Sequence, residues 1–90
     1  MTLLLKIGGY KIVKASGTAD NSGGTSAANV TVSITVNELR AVEDVISVII
    51  AGTGGPYILR GYSISGNTVS VTVNVPAGET ATVEIVVKGY

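Results

Sequence analysis

Two stretches of strict apolar–polar alternation constrain this chain more than any other feature. In residues 68–75 every second residue is valine, and in residues 29–37 valine and isoleucine alternate with threonine, serine and asparagine. A period of two with many β-branched residues is the strongest strand signal that a sequence provides. Both segments are therefore predicted to be β-strands with one buried face and one exposed face that is rich in hydroxyl groups.

The dipeptide Gly66-Asn67 separates the strand at 68–75 from a preceding strand at 57–64. The first central position of a type II′ turn needs a positive φ, which glycine supplies, and asparagine tolerates the second position. The pair predicts a β-hairpin. Pro76-Ala77-Gly78 predicts another turn, after which a last strand at 80–88 would form a second hairpin.

Strict pairing across the first hairpin would direct Arg60 into the core, opposite Val73. A buried, unpaired guanidinium is costly, so the sequence predicts a β-bulge at or near Gly61. The extra residue would leave Arg60 in solvent and turn Tyr57 and Leu59 inward. The alternative is that Arg60 binds a ligand on an open sheet face.

The first part of the chain contains weaker strand signals. Residues 2–7 and 10–15 are short apolar segments on either side of Gly8-Gly9. The second of them is expected to be an edge or irregular strand, because its lysines interrupt the alternation. Residues 16–28 are rich in glycine, serine and threonine, and are predicted to form an exposed, flexible loop.

The segment 37–51 is ambiguous between helix and strand. Its apolar residues recur at helical spacing and Asn37 could cap a helix, whereas its many β-branched residues favour a strand. We favour a turn at 37–40 followed by a buried, central strand at about 45–51. A short helix is the alternative.

Together these segments predict about seven strands joined by short connections, in one domain that spans residues 1–90. A chain of this length can bury a single core. The predicted fold is all-β: a small antiparallel β-sandwich, immunoglobulin-like or jelly-roll-like. A partly closed β-barrel is the alternative.

The residue types in the chain argue against catalysis. The sequence contains no histidine and no cysteine, so the usual ligand sets for zinc, copper and iron are absent. The only charge cluster, which includes Glu43 and Asp44, falls beside a predicted turn with no partner base. We therefore predict no enzymatic activity, no catalytic or metal-binding residues and no cofactor.

The charges also limit the expected partners. Six basic and six acidic residues cancel and are scattered along the chain, so neither nucleic acid nor an anionic membrane is an expected partner. No apolar segment approaches the roughly 20 residues of a membrane-spanning helix, so no membrane span is predicted.

The low charge content predicts a surface that is partly covered by other molecules. Only 13% of the residues are charged, whereas an ordinary soluble domain carries roughly 25%. Other copies of the chain are the simplest cover. The strand at 2–7 is too apolar on both faces for a free edge in water; it could be covered by its own sandwich or be added to a neighbouring subunit's sheet. The candidate subunit-interface residues are Leu3, Leu4, Leu5, Ile7 and Tyr90.

Three segments resemble small virion structural proteins, namely the β-sandwich capsid-decoration, cement or fibre subunits of tailed phages and archaeal viruses. The segments are residues 42–48 (VEDVISV), 61–73 (GYSISGNTVSVTV) and 86–90 (VVKGY). They share with those proteins the order of apolar strand, aromatic-containing strand, Gly-Asn turn, Val-Thr strand and a final strand ending near glycine. The resemblance implies a non-enzymatic virion subunit that associates with itself and with other virion proteins.

A second resemblance involves residues 73–83 (VNVPAGETATV). This segment is similar to the closing hairpin of immunoglobulin-like adhesion modules in archaeal and bacterial surface proteins. The similarity implies an alternative function, as an adhesion or carbohydrate-binding module of a cell-surface protein or pilus, and an extracellular location.

Overall fold

The computed structural model describes residues 2–90, with the side chains of Thr2 and Ile7 excepted. It contains seven antiparallel β-strands, and no helix occurs within this range. The strands are β1 (Thr2–Ile7), β2 (Tyr10–Asp20), β3 (Ala28–Thr35), β4 (Val42–Gly52), β5 (Ile58–Ser65), β6 (Thr68–Val75) and β7 (Thr80–Gly89).

The strands form two stacked sheets. Sheet A has the order β1-β2-β7-β4, and sheet B has the order β3-β6-β5. Strand β2 faces β3, β7 faces β6 and β4 faces β5 across the interior, whereas β1 extends past the edge of sheet B. The predicted seven-stranded antiparallel β-sandwich is confirmed, and over residues 2–90 the sheets do not close into a barrel.

The core is the inward face of the alternating strands. β-Branched side chains that face the interior are withdrawn from water, which stabilises the fold by roughly 1.5–3 kcal/mol for each fully buried one. No polar or charged side chain is buried among the described residues. The fully buried large side chains are Val13, Val36, Val69, Val71, Val73, Val75, Val83, Ile85 and Val87.

The predicted hairpin and bulge are both present. Gly66 has φ +59° and no described residue other than glycine has a positive φ, as a type II′ turn requires. The register of β5 on β6 shifts between Leu59 and Gly61, so Arg60 is the extra residue and is exposed. Leu59 lies opposite Val73 on the interior side, as predicted, but it remains half exposed.

Strand β2 continues to Asp20, into the predicted loop at residues 16–28. It pairs with β7 over this whole length. The prediction was wrong because the small residues of this segment allow the sheets to approach closely: a Cβ atom on Gly17 would lie only 2.6 Å from Cγ1 of Val32 in sheet B. The connection between β2 and β3 is limited to residues 21–27.

Strand β2 is also an interior strand, between β1 and β7, so the prediction of an edge or irregular strand was wrong. Its lysines do not break the sheet because neither is buried. Lys14 lies on the outer face, where its Nζ is 3.8 Å from an oxygen of Glu84. Lys11 lies where the core ends, and its Nζ donates to the carbonyl oxygen of Glu38 at 3.3 Å.

Strand β4 occupies the opposite edge of sheet A instead of the predicted central position. The turn before it is present, and the alternative helix does not form. The apolar residues of this segment are not buried on both faces of the strand, as a central strand would require. Val45 and Val48 pack partly against the core, whereas Ile46 and Ile49 face solvent.

The turn after β6 connects the two sheets, so the predicted second hairpin does not form. β7 pairs with β2 and β4 and not with β6. Asn21, in the connection between β2 and β3, stabilises this crossover. Its side-chain amide donates to the carbonyl oxygens of Val75 at 3.0 Å and Pro76 at 3.2 Å.

The close approach of the sheets at Gly17 gives the first prediction. Gly17→Ala should lower the free energy of unfolding by about 1–3 kcal/mol, because the added methyl group overpacks the interior against Val32. Gly9→Ala is the matched control, since a Cβ atom there would meet nothing within 4 Å. Guanidinium denaturation followed by circular dichroism measures both; equal midpoints for the two variants would contradict the close packing.

Candidate interaction surfaces

Three predicted interface leucines are exposed on the free edge of sheet A. Leu3, Leu4 and Leu5 are 46%, 48% and 50% exposed. Strand β1 pairs with β2 alone and packs against no strand of sheet B, so its own sandwich does not cover it. The predicted interface residue Ile7 ends β1, but its side chain lies outside the described residues. We call Leu3, Leu4 and Leu5 the β1 edge surface.

A register shift places these leucines on both faces of β1. Leu3 pairs with Val13, whose side chain is in the core, whereas Leu5 pairs with Ile12 on the outer face. Leu4 lies between them as the bulged residue. The strand therefore presents leucine side chains on both faces of sheet A, and its free edge presents unpaired backbone groups.

The last predicted interface residue, Tyr90, lies beside Tyr10, the first residue of β2. Its ring meets Tyr10 edge to face, with centroids 6.1 Å apart, and Lys88 Nζ lies 4.6 Å from the centroid of Tyr10. The backbone is also held, since the amide of Arg40 donates to the carbonyl oxygen of Tyr90 at 2.7 Å. Tyr90 is thus packed on its own chain, yet half of its surface faces solvent.

A second apolar surface lies at the opposite side of the sandwich. Strands β4 and β5 are both edge strands, so no further strand of the described chain covers their outer sides. Side chains on the interior side of β5 therefore remain exposed, as do two isoleucines of β4. The residues of this β4–β5 edge surface are Ile46, Ile49, Leu59, Tyr62 and Ile64.

Sequence reasoning did not find the β4–β5 edge surface. Alternation shows which side of a strand faces the core, but it does not show how far the facing sheet extends. The available signal was the apolar pair Ile46 and Ile49, which occupies both faces of a strand that begins with the acidic residues Glu43 and Asp44.

The two edges of sheet A carry opposite charges. Lys6 is the charged residue of edge strand β1, whereas edge strand β4 carries Glu43 and Asp44 directly after its first residue, Val42. The ion pair of Lys88 with Glu43 is 3.3 Å long and half exposed, so it contributes at most about 1 kcal/mol to stability. One edge is therefore basic and apolar, and the other is acidic and apolar.

The outer face of β3 and β6 is uncharged and polar. β3 and β6 contain no charged residue, and their outward side chains meet in cross-strand pairs. Pairs of this kind contribute roughly 0.2–1 kcal/mol each. The pairs of this hydroxyl face are Asn29–Asn74 at 3.0 Å, Thr31–Thr72 at 2.9 Å, Ser33–Ser70 at 3.5 Å and Thr35–Thr68 at 3.2 Å.

The most organised polar contact joins the β4–β5 loop to the β6–β7 turn. The hydroxyl of Tyr57 donates to Oε1 of Glu79 at 2.7 Å, and the amide of Gly55 donates to the same oxygen at 3.0 Å. The hydrogen bond to Glu79 raises the pKa of Tyr57 above its ordinary value. The contact fixes two loops and brings together no nucleophile and base.

The pKa of Asp20 is also altered. Hydrogen bonds from the hydroxyl and the backbone amide of Ser22 lower the pKa of this carboxyl. The hydrogen bond from the backbone amide is 2.8 Å long. The interaction stabilises the turn after β2. Across the residues that the structure describes, no three acidic side chains converge on a point where a metal ion could bind.

Comparisons with protein-family models, with curated proteins and with solved structures found no match for this chain. The described part of the chain also contains no helix long and apolar enough to cross a membrane.

The contact between Tyr57 and Glu79 predicts a loss of stability in alkali. Because the folded-state pKa of Tyr57 is raised above the usual 10.0, its contribution is present below that pH and is lost as the pH rises through the folded-state value. Wild-type stability should therefore fall more steeply above pH 10 than that of Tyr57→Phe. The guanidinium midpoint of unfolding, measured for each variant across this pH range, tests the prediction. Tyr62→Phe is the control, and its midpoint should fall with pH as steeply as that of the wild type.

Proposed function

We propose that this protein is a non-enzymatic structural subunit that acts by self-association, and that the assembly to which it belongs is a virion. One observation carries the proposal: a well-packed sandwich exposes large apolar side chains on two separate edges. Exposed apolar surfaces of this kind mark sites of interaction with other molecules.

The exposure does not result from loose folding. The accessible surface is 4872 Å², close to the about 4,900 Å² expected for a compact monomer of this mass. The apolar side chains at the edges thus belong to a compact molecule. Two different apolar patches on one small subunit suit contact with more than one neighbour.

The choice of a virion is supported by the resemblance to small virion structural proteins. The segments that carry it, residues 42–48, 61–73 and 86–90, form strands that are neighbours within the sandwich. The proposed partners are further copies of the chain and other virion proteins, and the proposed location is the virus particle.

Sedimentation velocity over a range of concentrations tests the self-association. Wild-type protein should form species that are multiples of 9.1 kDa, and the double variant Leu4→Thr/Leu5→Thr should weaken them at least several-fold. Threonine retains the strand preference while it removes apolar surface. Thr18→Ser/Thr82→Ser, on the outer face of β2 and β7, is the control that should assemble like the wild type.

A wild-type protein that remains a 9.1 kDa monomer at all concentrations would contradict self-association. The virion assignment has its own test: antibodies against the purified protein should detect it in particle fractions of the source culture. Detection only on cell envelopes would contradict that assignment.

The hydroxyl face favours a second candidate function, that of a carbohydrate-binding or adhesion module. Its paired amides and hydroxyls form a flat, uncharged surface of a kind that could meet a neutral glycan. If this function is correct, a glycan array should give reproducible binding, and Thr72→Val should reduce it several-fold without a change in assembly. An array without binding would remove this alternative.

A further inference from the structure

We propose that copies of this chain join head to tail through sheet A, with β1 of one copy paired antiparallel to β4 of the next. The inference rests on the self-association proposed above and specifies the strands that meet. The partner at the β4 edge is a second copy of the chain, whose strand β1 is added to sheet A.

Strand direction allows this pairing when the second copy is rotated so that it continues the twist of sheet A. Each strand of sheet A is antiparallel to its neighbour in the order β1-β2-β7-β4, so β1 and β4 run in opposite directions. A copy displaced sideways along the sheet therefore brings its β1 beside the first copy's β4 in antiparallel orientation. The backbone groups on these two free edges would then be paired.

The register of the sheet places apolar residues at the same level on the two edges. Followed across the four strands, Leu5 is level with Asp44 and Leu3 is level with Val45. A sideways displacement thus sets Leu3 beside Val45 and close to Ile46 of the neighbouring copy, which is 55% exposed, while Leu5 lies beside Asp44. Each edge buries apolar surface that its own sandwich leaves in water.

Charge favours the same alignment. Lys6 is level with Val42, next to Glu43 and Asp44, so the basic end of β1 meets the acidic end of β4. Neither Lys6 nor Asp44 is within ion-pair distance of an opposite charge among the described side chains. Parallel pairing of β1 with another β1, or of β4 with another β4, would bring like charges together, which is unfavourable across strands.

The unequal sheets leave room for the contact. No strand of sheet B lies beneath β1, so the incoming copy can place β1 beside β4 without a collision between the two B sheets. Leu3 lies on the interior side of β1, and it would then approach Tyr62 and Ile64, which β4 leaves exposed. Strand β1, which extends past sheet B on one side of the sandwich, would thus cover the exposed interior side of β5 on the other side.

Disulfide cross-linking tests the pairing, because the chain has no cysteine of its own. Leu5→Cys protein is mixed under mild oxidation with Asp44→Cys protein, because the two positions are level and lie on the same outer face. A linked heterodimer should be the main product, since directly opposite residues on paired strands bring Cβ atoms within disulfide range. Leu5→Cys mixed with Ile58→Cys, an exposed site on β5, is the control that should link poorly. Predominant Leu5→Cys homodimers would overturn the proposal.

Charge reversal gives a second readout that does not depend on cysteine. Lys6→Glu and Asp44→Lys each place like charges at the ends of β1 and β4 that meet, so each should weaken assembly in sedimentation. The double variant restores opposite charges at these ends, on opposite faces of the sheet, and should recover assembly in part. If wild-type protein assembles but shows neither the cross-link nor the rescue, this inference fails and self-association stands. If wild-type protein does not assemble at any concentration, both fail.

Discussion

The structure depends on one thin apolar layer, in which the valines of β6 meet the inward side chains of β7. β6 is the central strand of sheet B, and β7 is an interior strand of sheet A. Their inward side chains are almost entirely buried and none is larger than isoleucine. The chain has no phenylalanine and no tryptophan, so the two sheets must lie close together for these short side chains to fill the interior.

A layer of short side chains covers the middle of the sandwich better than its sides. Close to β6 and β7, valine on one sheet reaches valine on the other, and at Gly17 the facing sheet leaves no room even for a methyl group. At β1 no strand lies opposite, and on the interior side of β5 the side chains remain exposed. Apolar residues at those positions cannot be buried within one copy, which explains why the exposed apolar surfaces occur at the edges.

Local pattern predicted the strands well, because alternation and turn residues act over a few neighbouring positions. The buried valines of β6, the turn at Gly66 and the bulge at Arg60 all follow from such short-range rules. The order of strands within each sheet does not, because β2, β4 and β7 are brought together by pairing between distant segments. The predictions of a central β4 and of a loop from residue 16 were wrong for this reason. The candidate interface was predicted at Leu3, Leu4 and Leu5, whereas the surface at β4 and β5 depends on where the facing sheet ends.

The absence of polar side chains from the interior has a consequence for the conditions that this fold tolerates. Proteins usually unfold in acid because carboxylates that are buried or tightly paired must take up protons. Here every buried side chain among the described residues is apolar, and the two ion pairs are solvent-exposed. Protonation of the carboxylates weakens the loop contacts of Asp20 and Glu79 but leaves the apolar layer between the sheets unchanged, so the sandwich should persist in acidic surroundings where many small domains unfold.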